Sequence, residues 1–272
     1  MTASSAPSDP SPTASSERPG TVDRDQLVAY LDELLGADLG QDYCPNGLQV
    51  EGTSTIKRVV TGVSACHELF VKARELEADA ILVHHGIFWY GAPLPLVGVQ
   101  SRRVRELIAG DLNLLAYHLP LDRHGTYGNN ALAAGQFGLV DCEPFAPHKG
   151  VPVGFRGRFP EPIPAQELFD RTEEIFGQKP LAFLHGPQEV KTLGLVSGGA
   201  QREFYGAIDL GLDAFITGEV SEWVMNISRE AGVHYLSAGH YATERLGIRR
   251  LGEHLAEHFG LSVTFVDIPN PV

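Results

Sequence analysis

A chain of 272 residues, 43% apolar and 20% charged, holds enough hydrophobic material for one large or two modest cores, which argues against a disordered or fibrous protein. Its 34 acidic against 21 basic residues leave a net charge of −13. Such a field repels phosphate backbones, so it argues against a large nucleic acid as partner but not against a small phosphorylated molecule. Three widely spaced cysteines, Cys44, Cys66 and Cys142, argue against a disulfide framework or a thiolate zinc knuckle. No apolar run approaches the ~20 residues of a membrane span, so the expected setting is the cytoplasm, with no membrane partner.

Residues 1–20, rich in Ser, Pro, Thr and Ala without an apolar stretch, read as a disordered tail and not as a signal peptide. From Asp23 to Leu35 the apolar residues Leu27, Val28, Leu31, Leu34 and Leu35 recur at helical spacing, behind Thr21 or Asp23 as N-cap. A loop with Pro45, Asn46 and Gly47 follows. Residues 58–63 are short and β-branched, hence a buried strand; 66–77 show helical periodicity, and 79–84 form the next strand. Helix 101–109, strand 112–117 and helix 129–137 complete a first lobe over 21–140.

The proline-rich stretch 141–165 reads as an irregular crossing with short strands near 151–159. It opens a crossing segment, 141–188, that also holds a helix at 165–176. The second lobe, 189–272, repeats the pattern with strand 192–197, helix 202–211 and strand 213–217, then closes with helix 243–259 and strand 262–267. Strands separated by ten-residue helices favour parallel pairing with right-handed crossovers. The expected fold is therefore α/β: two similar lobes from an internal duplication, with mixed, mostly parallel sheets and a metal site between them.

The duplication is visible as a gapless alignment of residues 56–89 onto 190–223, an offset of 134. Lys57 falls on Lys191, Ala73 on Ala207, Asp79-Ala80 on Asp213-Ala214, and Trp89 on Trp223. Further on, each copy delivers a strand that ends in a histidine with an acid four residues later: His118 and Asp122, then His240 and Glu244. The first copy adds His84-His85-Gly86 at the carboxyl end of a buried strand, where open α/β sheets place their ligands. Neighbouring side chains within a strand point to opposite faces. At the strand's end, with Gly86 free to turn the chain, both imidazoles can reach one cleft.

Pro120 disfavours a helix after His118, so that His–Asp pair is expected on a loop. The run from Ala242 onward looks helical, so His240 and Glu244 are expected on one face of a first turn. Neutral imidazoles and carboxylates without thiolates suit zinc, iron or manganese. A carboxylate able to bridge fits two ions roughly 3.5–4 Å apart sharing a hydroxide nucleophile. The candidate ligands are His84, His85, Asp122, His240 and Glu244, with Glu244 as the bridge. His118, the counterpart of His240, is either a further ligand, a support to the ligands or a proton shuttle.

Ser197, Gly198 and Gly199 either present backbone N–H groups to an anionic substrate or form a plain strand–helix turn. Gly128-Asn129-Asn130 either lines the cleft or caps the next helix. His254 and His258 read as a solvated helix face, and His67, His124, His148, His185 and His234 as surface residues.

The segments PNGLQVEG (45–52), VTGVSA (60–65), ADAILVHHGIFW (78–89), HLPLD (118–122), GNN (128–130), DAFITGEVSE (213–222), AGHYATER (238–245) and DIPNP (267–271) resemble the NGG-one-interacting-factor-three-like family. Its bacterial members are known as type 2 GTP cyclohydrolase homologues, and the resemblance, to their short form, covers about residues 22–272. It implies a two-lobed α/β subunit, a dinuclear metal centre and a homohexameric ring, a trimer of dimers. By motif it places the metal ligands on His84, His85, Asp122, His240 and Glu244. Where many relatives have Asp-Asn before Gly-Leu, this chain has Pro45-Asn46.

The implied activity is hydrolysis of a purine nucleotide at two divalent ions: attack on C8 of GTP, giving dihydroneopterin triphosphate and formate. A metal-dependent phosphoesterase or a hydrolase of damaged nucleotides needs the same ligands. So does a non-catalytic metal-binding or metal-delivery protein.

Overall fold

The computed structural model describes residues 20–92 and 95–272; all but the last residue of the tail expected over 1–20 lies outside them. Two sheets form the frame. The first has five strands in the order Ser262–Phe265, Arg58–Ser64, Ala80–His85, Asn113–Ala116, Gly47–Val50. The first four run parallel, and Gly47–Val50 closes the edge antiparallel. The second has six strands, ordered Val140–His148, Val151–Pro164, Glu189–Leu195, Ala214–Thr217, His234–Ser237, Leu181–Phe183. Only Glu189–Leu195, Ala214–Thr217 and His234–Ser237 pair in parallel, and the outer strands are antiparallel. The expectation of mostly parallel sheets thus holds for the first and not for the second.

The repeat is built in the same way twice. Val59, Val60 and Thr61 pair with Ala80, Ile81 and Leu82. Their counterparts 134 residues on, Leu193, Gly194 and Leu195, pair with Ala214, Phe215 and Ile216. Asp79 Oδ2 accepts the N–H groups of Lys57 and Arg58 at 2.7 and 2.8 Å. Asp213 Oδ2 accepts those of Lys191 and Thr192, both at 2.8 Å. Each aspartate ties the start of the first strand to the start of the second, which explains why an aspartate stands at both places. The helix between the strands, His67–Glu75 in one unit and Phe204–Asp209 in the other, buries Leu69, Phe70 and Ala73 or Phe204 and Ala207. With both faces covered, the central strands are almost wholly apolar.

The first helix, Arg24–Leu35, starts as its sequence predicts, with Asp23 Oδ1 accepting the N–H groups of Asp25 and Gln26. Its buried stripe of Leu27, Leu31 and Leu35 belongs to a core that also contains Ile248, Leu251, Leu255 and Leu261. That core draws on both expected lobes, 21–140 and 189–272. The strand Ser262–Phe265 pairs into the first sheet, and the long helix Arg245–Phe259 packs against it.

The crossing expected to be irregular is instead a long hairpin, Val140–His148 with Val151–Pro164. Its prolines are placed where they cost least. Pro144 and Pro147 lie on the sheet's edge strand, and Pro160 and Pro162 fall in the register break between Val190 and Thr192.

Candidate metal centre

His84 is fully buried and His85 ends its strand. Their rings nevertheless lie only 4.6 Å apart between centroids, on one side of the chain. His84 Nδ1–H donates to the Tyr117 carbonyl at 3.0 Å, which fixes the tautomer and turns Nε2 inward. His85 Nδ1 pairs with Ser64 Oγ at 3.0 Å, turning its Nε2 the same way. Gly86 is required for a different reason from a turn: a Cβ there would meet the Gln49 amide at 2.2 Å. That amide accepts the Ile87 N–H and donates to the Pro45 carbonyl.

The expectation of a loop after His118 is not met, because Leu119–Arg123 is a short helix. Pro120 sits in its first turn, where no N–H is needed. Asp122 is thereby aimed inward. Its Oδ1 accepts Asn129 Nδ2–H at 2.9 Å and Ser197 Oγ–H at 2.8 Å, and its Oδ2 faces His84 Nε2 at 3.5 Å. His240 and Glu244 flank a helical turn over His240–Thr243, as the i, i+4 spacing predicts. Glu244, 2% exposed, places Oε1 3.4 Å from His84 Nε2. Its Oε2 lies 3.2 Å from His85 Nε2 and 3.3 Å from His240 Nε2.

All five candidate ligands therefore converge, and Glu244 belongs to two groups at once. The ligand atoms of His84, Asp122 and Glu244 lie within 4.8 Å of one another, as do those of His85, His240 and Glu244. His118 joins from the side, its ring 5.1 Å from His84 and 5.6 Å from His85; with those two it makes a further such group.

The donor set fits a cation. The inner contacts, 3.2–3.5 Å, are too long for charge-assisted hydrogen bonds, which run to about 2.7–2.9 Å. His84 Nε2 and Glu244 Oε2 are buried without a hydrogen-bond partner among the described residues. The outer contacts are short by comparison: His118 Nδ1–H to Asp42 and His240 Nδ1–H to Glu219 are both 2.6 Å. A shell of tight hydrogen bonds thus surrounds a centre of inward-facing donors that do not satisfy one another. Such a cluster could hold a divalent ion.

The electrostatics agree. Burial pushes His84 down, but Asp122 and Glu244 outweigh it and raise it to about 9. Burial likewise opposes charge on His240, yet Glu244 and Glu219 raise it to about 9. His85 is pushed down to about 3 by burial. Glu244, despite complete burial, is held well below the usual carboxylate range by the imidazoles, His85 and His84 foremost. An anion locked in the ionised state, with its cationic partners needing protons only to balance it, is a site where a metal competes with protons.

Three supporting residues escaped the sequence reading. Glu219 stands 134 residues after His85, so the repeat alignment itself put an acid opposite a candidate ligand. Asp42 carried no such signal, yet it lies three residues before Pro45 and supplies an acid to His118. Its Oδ1 takes His118 Nδ1–H and the Tyr43 N–H, and its Oδ2 takes Asn46 Nδ2–H and the Leu119 N–H. Asp42 and Cys44 lie near enough to His118 to resemble a metal site. Both Asp42 oxygens are spent, however, and burial with the Asp42 charge pushes the Cys44 thiol up to about 12.

Asn129 is the third. It is not a helix cap but a buried strut, with Nδ2–H on Asp122 and Oδ1 accepting the Gly247 N–H at 2.7 Å. Asn129→Ala orphans that N–H and frees the carboxylate, and is expected to cost about 1–3 kcal/mol. A lower urea midpoint with an unchanged slope is the predicted result; an unchanged midpoint would refute this role.

Of the two alternatives for Ser197–Gly199, an anion cradle or a plain turn, the first has two of its three backbone donors engaged within the fold. The Ser197 N–H donates to Asn130 Oδ1 at 2.7 Å and the Gly198 N–H to Thr243 Oγ1 at 3.0 Å. The segment serves the cluster instead, Ser197 holding Asp122 and Gly198 making room for Glu244. Two other histidines also differ from expectation. His234 is buried in a strand between Pro187 and Gly186, and His254 lies between the hydroxyls of Tyr30 (2.5 Å) and Tyr127 (3.0 Å).

Two mixed sheets with a buried histidine–carboxylate cluster at their strand ends define a class: an α/β protein with a candidate divalent-metal centre. Residues 22–271 match the model of the Duf34/NIF3 (NGG1p interacting factor 3) family, and the chain belongs to that family. It is 48% identical over 249 residues to a Vibrio cholerae protein named GTP cyclohydrolase 1 type 2 homolog, covering 91% of this chain and 98% of that one. An Escherichia coli K12 protein of the same name is 44% identical over 250 residues, covering 90% and 98%. Among solved structures, that of a protein described as ybgI, of unknown function, superposes with a TM-score of 0.88 at 42% identity, covering 92% of this chain and 100% of that one. TTHA1606 from Thermus thermophilus gives 0.82, also at 42% identity and with the same coverage. No helix among the described residues is long and apolar enough to cross a membrane.

Proposed function

We propose that this protein is a dinuclear metal-dependent hydrolase of a purine nucleotide, with GTP the substrate to test first. The observation that carries the reading is the double membership of Glu244, whose two oxygens face separate ligand groups. His84, Asp122 and Glu244 would hold one ion; His85, His240 and Glu244 would hold the other. Zinc, iron and manganese all suit such ligands. Divalent ions held there supply Lewis-acid charge and acidify water at neutral pH.

The chain's own groups complete the arrangement. Asp42 holds His118 Nδ1–H, so its Nε2 is the atom left to accept or return a proton at the cleft. Glu219 and Ser64 orient the rings of His240 and His85. The cleft, about 600 Å³, is of mononucleotide size. The names of the relatives add GTP as the substrate; the reaction in this reading opens the guanine ring at C8 and releases formate. The same resemblance brings a homohexamer and a cytoplasmic setting into the reading.

Zinc-, iron- or manganese-loaded protein incubated with GTP is expected to release formate and, after oxidation, a fluorescent pterin. Absence of both with all three metals would reject GTP as substrate.

A further inference from the structure

We propose that the cleft reads a 2-amino-4-oxopyrimidine edge, the edge of guanine, with the Glu203 carboxylate, and anchors the ligand's anionic end on Arg103. This rests on the nucleotide-hydrolase reading of the same site and names what selects the nucleotide.

With the Ser197–Gly198 amides spent inside the fold, an anion needs another partner. Outside the histidine–carboxylate cluster, the charged residues that line the cleft are Arg103 and Glu203. Both are half-buried, and among the described residues neither side chain makes an ion pair or a hydrogen bond. They come from opposite halves of the structure: Arg103 from the helix Gly98–Ala109 beside the first sheet, Glu203 from the turn Gln201–Glu203 beside the second. A protein of net charge −13 that leaves one guanidinium unpaired in its cleft provides the local cation a phosphate requires. The planar fork also matches phosphate oxygens two at a time.

Glu203 bears an uncompensated cost. Burial alone pushes its carboxyl up, with no cation nearby to offset it. A ligand presenting two adjacent N–H donors would relieve that cost, since a carboxylate accepts a parallel pair. Guanine offers such a pair in N1–H and the 2-amino group. Hypoxanthine keeps N1–H but lacks the amino group, and adenine presents an acceptor at N1, so neither offers the carboxylate the parallel pair. Aromatic side chains line the same cleft as Glu203, whose charge, after burial, helps push up the Tyr43 phenol. Tyr43 lies against His148 with ring centroids 4.6 Å apart, and Trp89 stands edge-on to His118 at 5.2 Å. All four line the cleft and offer aromatic faces to a heterocycle.

The test is calorimetric titration of zinc-loaded protein with GTP, ITP, ATP and guanosine, reading affinity ratios and not turnover. Wild-type protein is expected to bind GTP about tenfold or more tightly than ITP or ATP, the usual scale for one bidentate contact. Glu203→Gln should bring the GTP-to-ITP ratio close to one, and Arg103→Ala should collapse the preference for GTP over guanosine. Metal content and melting temperature, measured alongside, separate these effects from misfolding. Ratios that survive both substitutions overturn the proposal while leaving the hydrolase reading intact. Wild-type protein that binds zinc but none of the four ligands overturns both.

Discussion

Glu244→Ala is expected to remove both metal ions at once, whereas His84→Ala or His240→Ala should remove one. Wild-type protein purified without chelators should carry about two ions per chain, as measured by elemental analysis. The asymmetry follows from the geometry. Glu244 Oε1 faces His84, and Oε2 faces both His85 and His240. The alanine therefore deletes a donor from each group, while either histidine variant leaves one group complete. The fold should survive. Once Glu244 is gone, His240 loses the larger part of the charge that raises it and can shed its proton, while His84 keeps Asp122 as its partner, so neither is left a buried unpaired cation. A second measurement exposes a mere folding defect: added zinc should raise the melting temperature of wild type, because ligand binding to the native state adds stability, and should leave that of Glu244→Ala unmoved. Retention of one full ion by Glu244→Ala would mean the carboxylate serves a single metal, and the dinuclear reading would fall.

The parts of this centre that could be read beforehand are those that sequence spacing encodes locally. Buried β-branched runs, a ten-residue helix between them and a histidine at each strand end are properties of short windows. The repeat then linked the two copies: His240 and Glu244 stand 122 positions after His118 and Asp122, and the two sets were expected to meet between the lobes. Features that depend on distant partners stayed hidden. Ile248, Leu251 and Leu255 are an ordinary helical stripe in sequence, and nothing local says that they pack against Leu27 and Leu31 of the first helix. Pro120 disfavours a helix for the residue before it, but a helix that begins there needs no N–H from it. The prolines of 144–164 suggested irregular chain because the sequence does not show which strand will lie at an edge or which register will slip. Asp42 sits in a polar loop like many others; only the fold brings it to His118, 76 positions away.

Gly198→Ala is expected to displace the Glu244 carboxylate and so to lose metal without touching any ligand. Gly198 has φ +68°, a left-handed conformation, and a Cβ there would lie 2.3 Å from Glu244 Oε1 and 3.2 Å from His240 Nε2. The backbone cannot easily retreat. Its N–H donates to Thr243 Oγ1, and its carbonyl accepts Thr217 Oγ1–H and the Gly218 N–H. The flexible carboxylate is therefore the part that moves, away from the position in which it faces both ligand groups. Gly211→Ala is the matched control. Gly211 has nearly the same φ, +66°, with nothing within 4 Å of a new Cβ. It should cost only the left-handed penalty, about 1–2 kcal/mol, and keep its metal. Gly198→Ala should add the overpacking cost, about 1–3 kcal/mol, and bind markedly less zinc. Equal stability and equal metal content in the two variants would show that the site tolerates a methyl group against Glu244, and that the close approach of residue 198 is incidental to holding the ions.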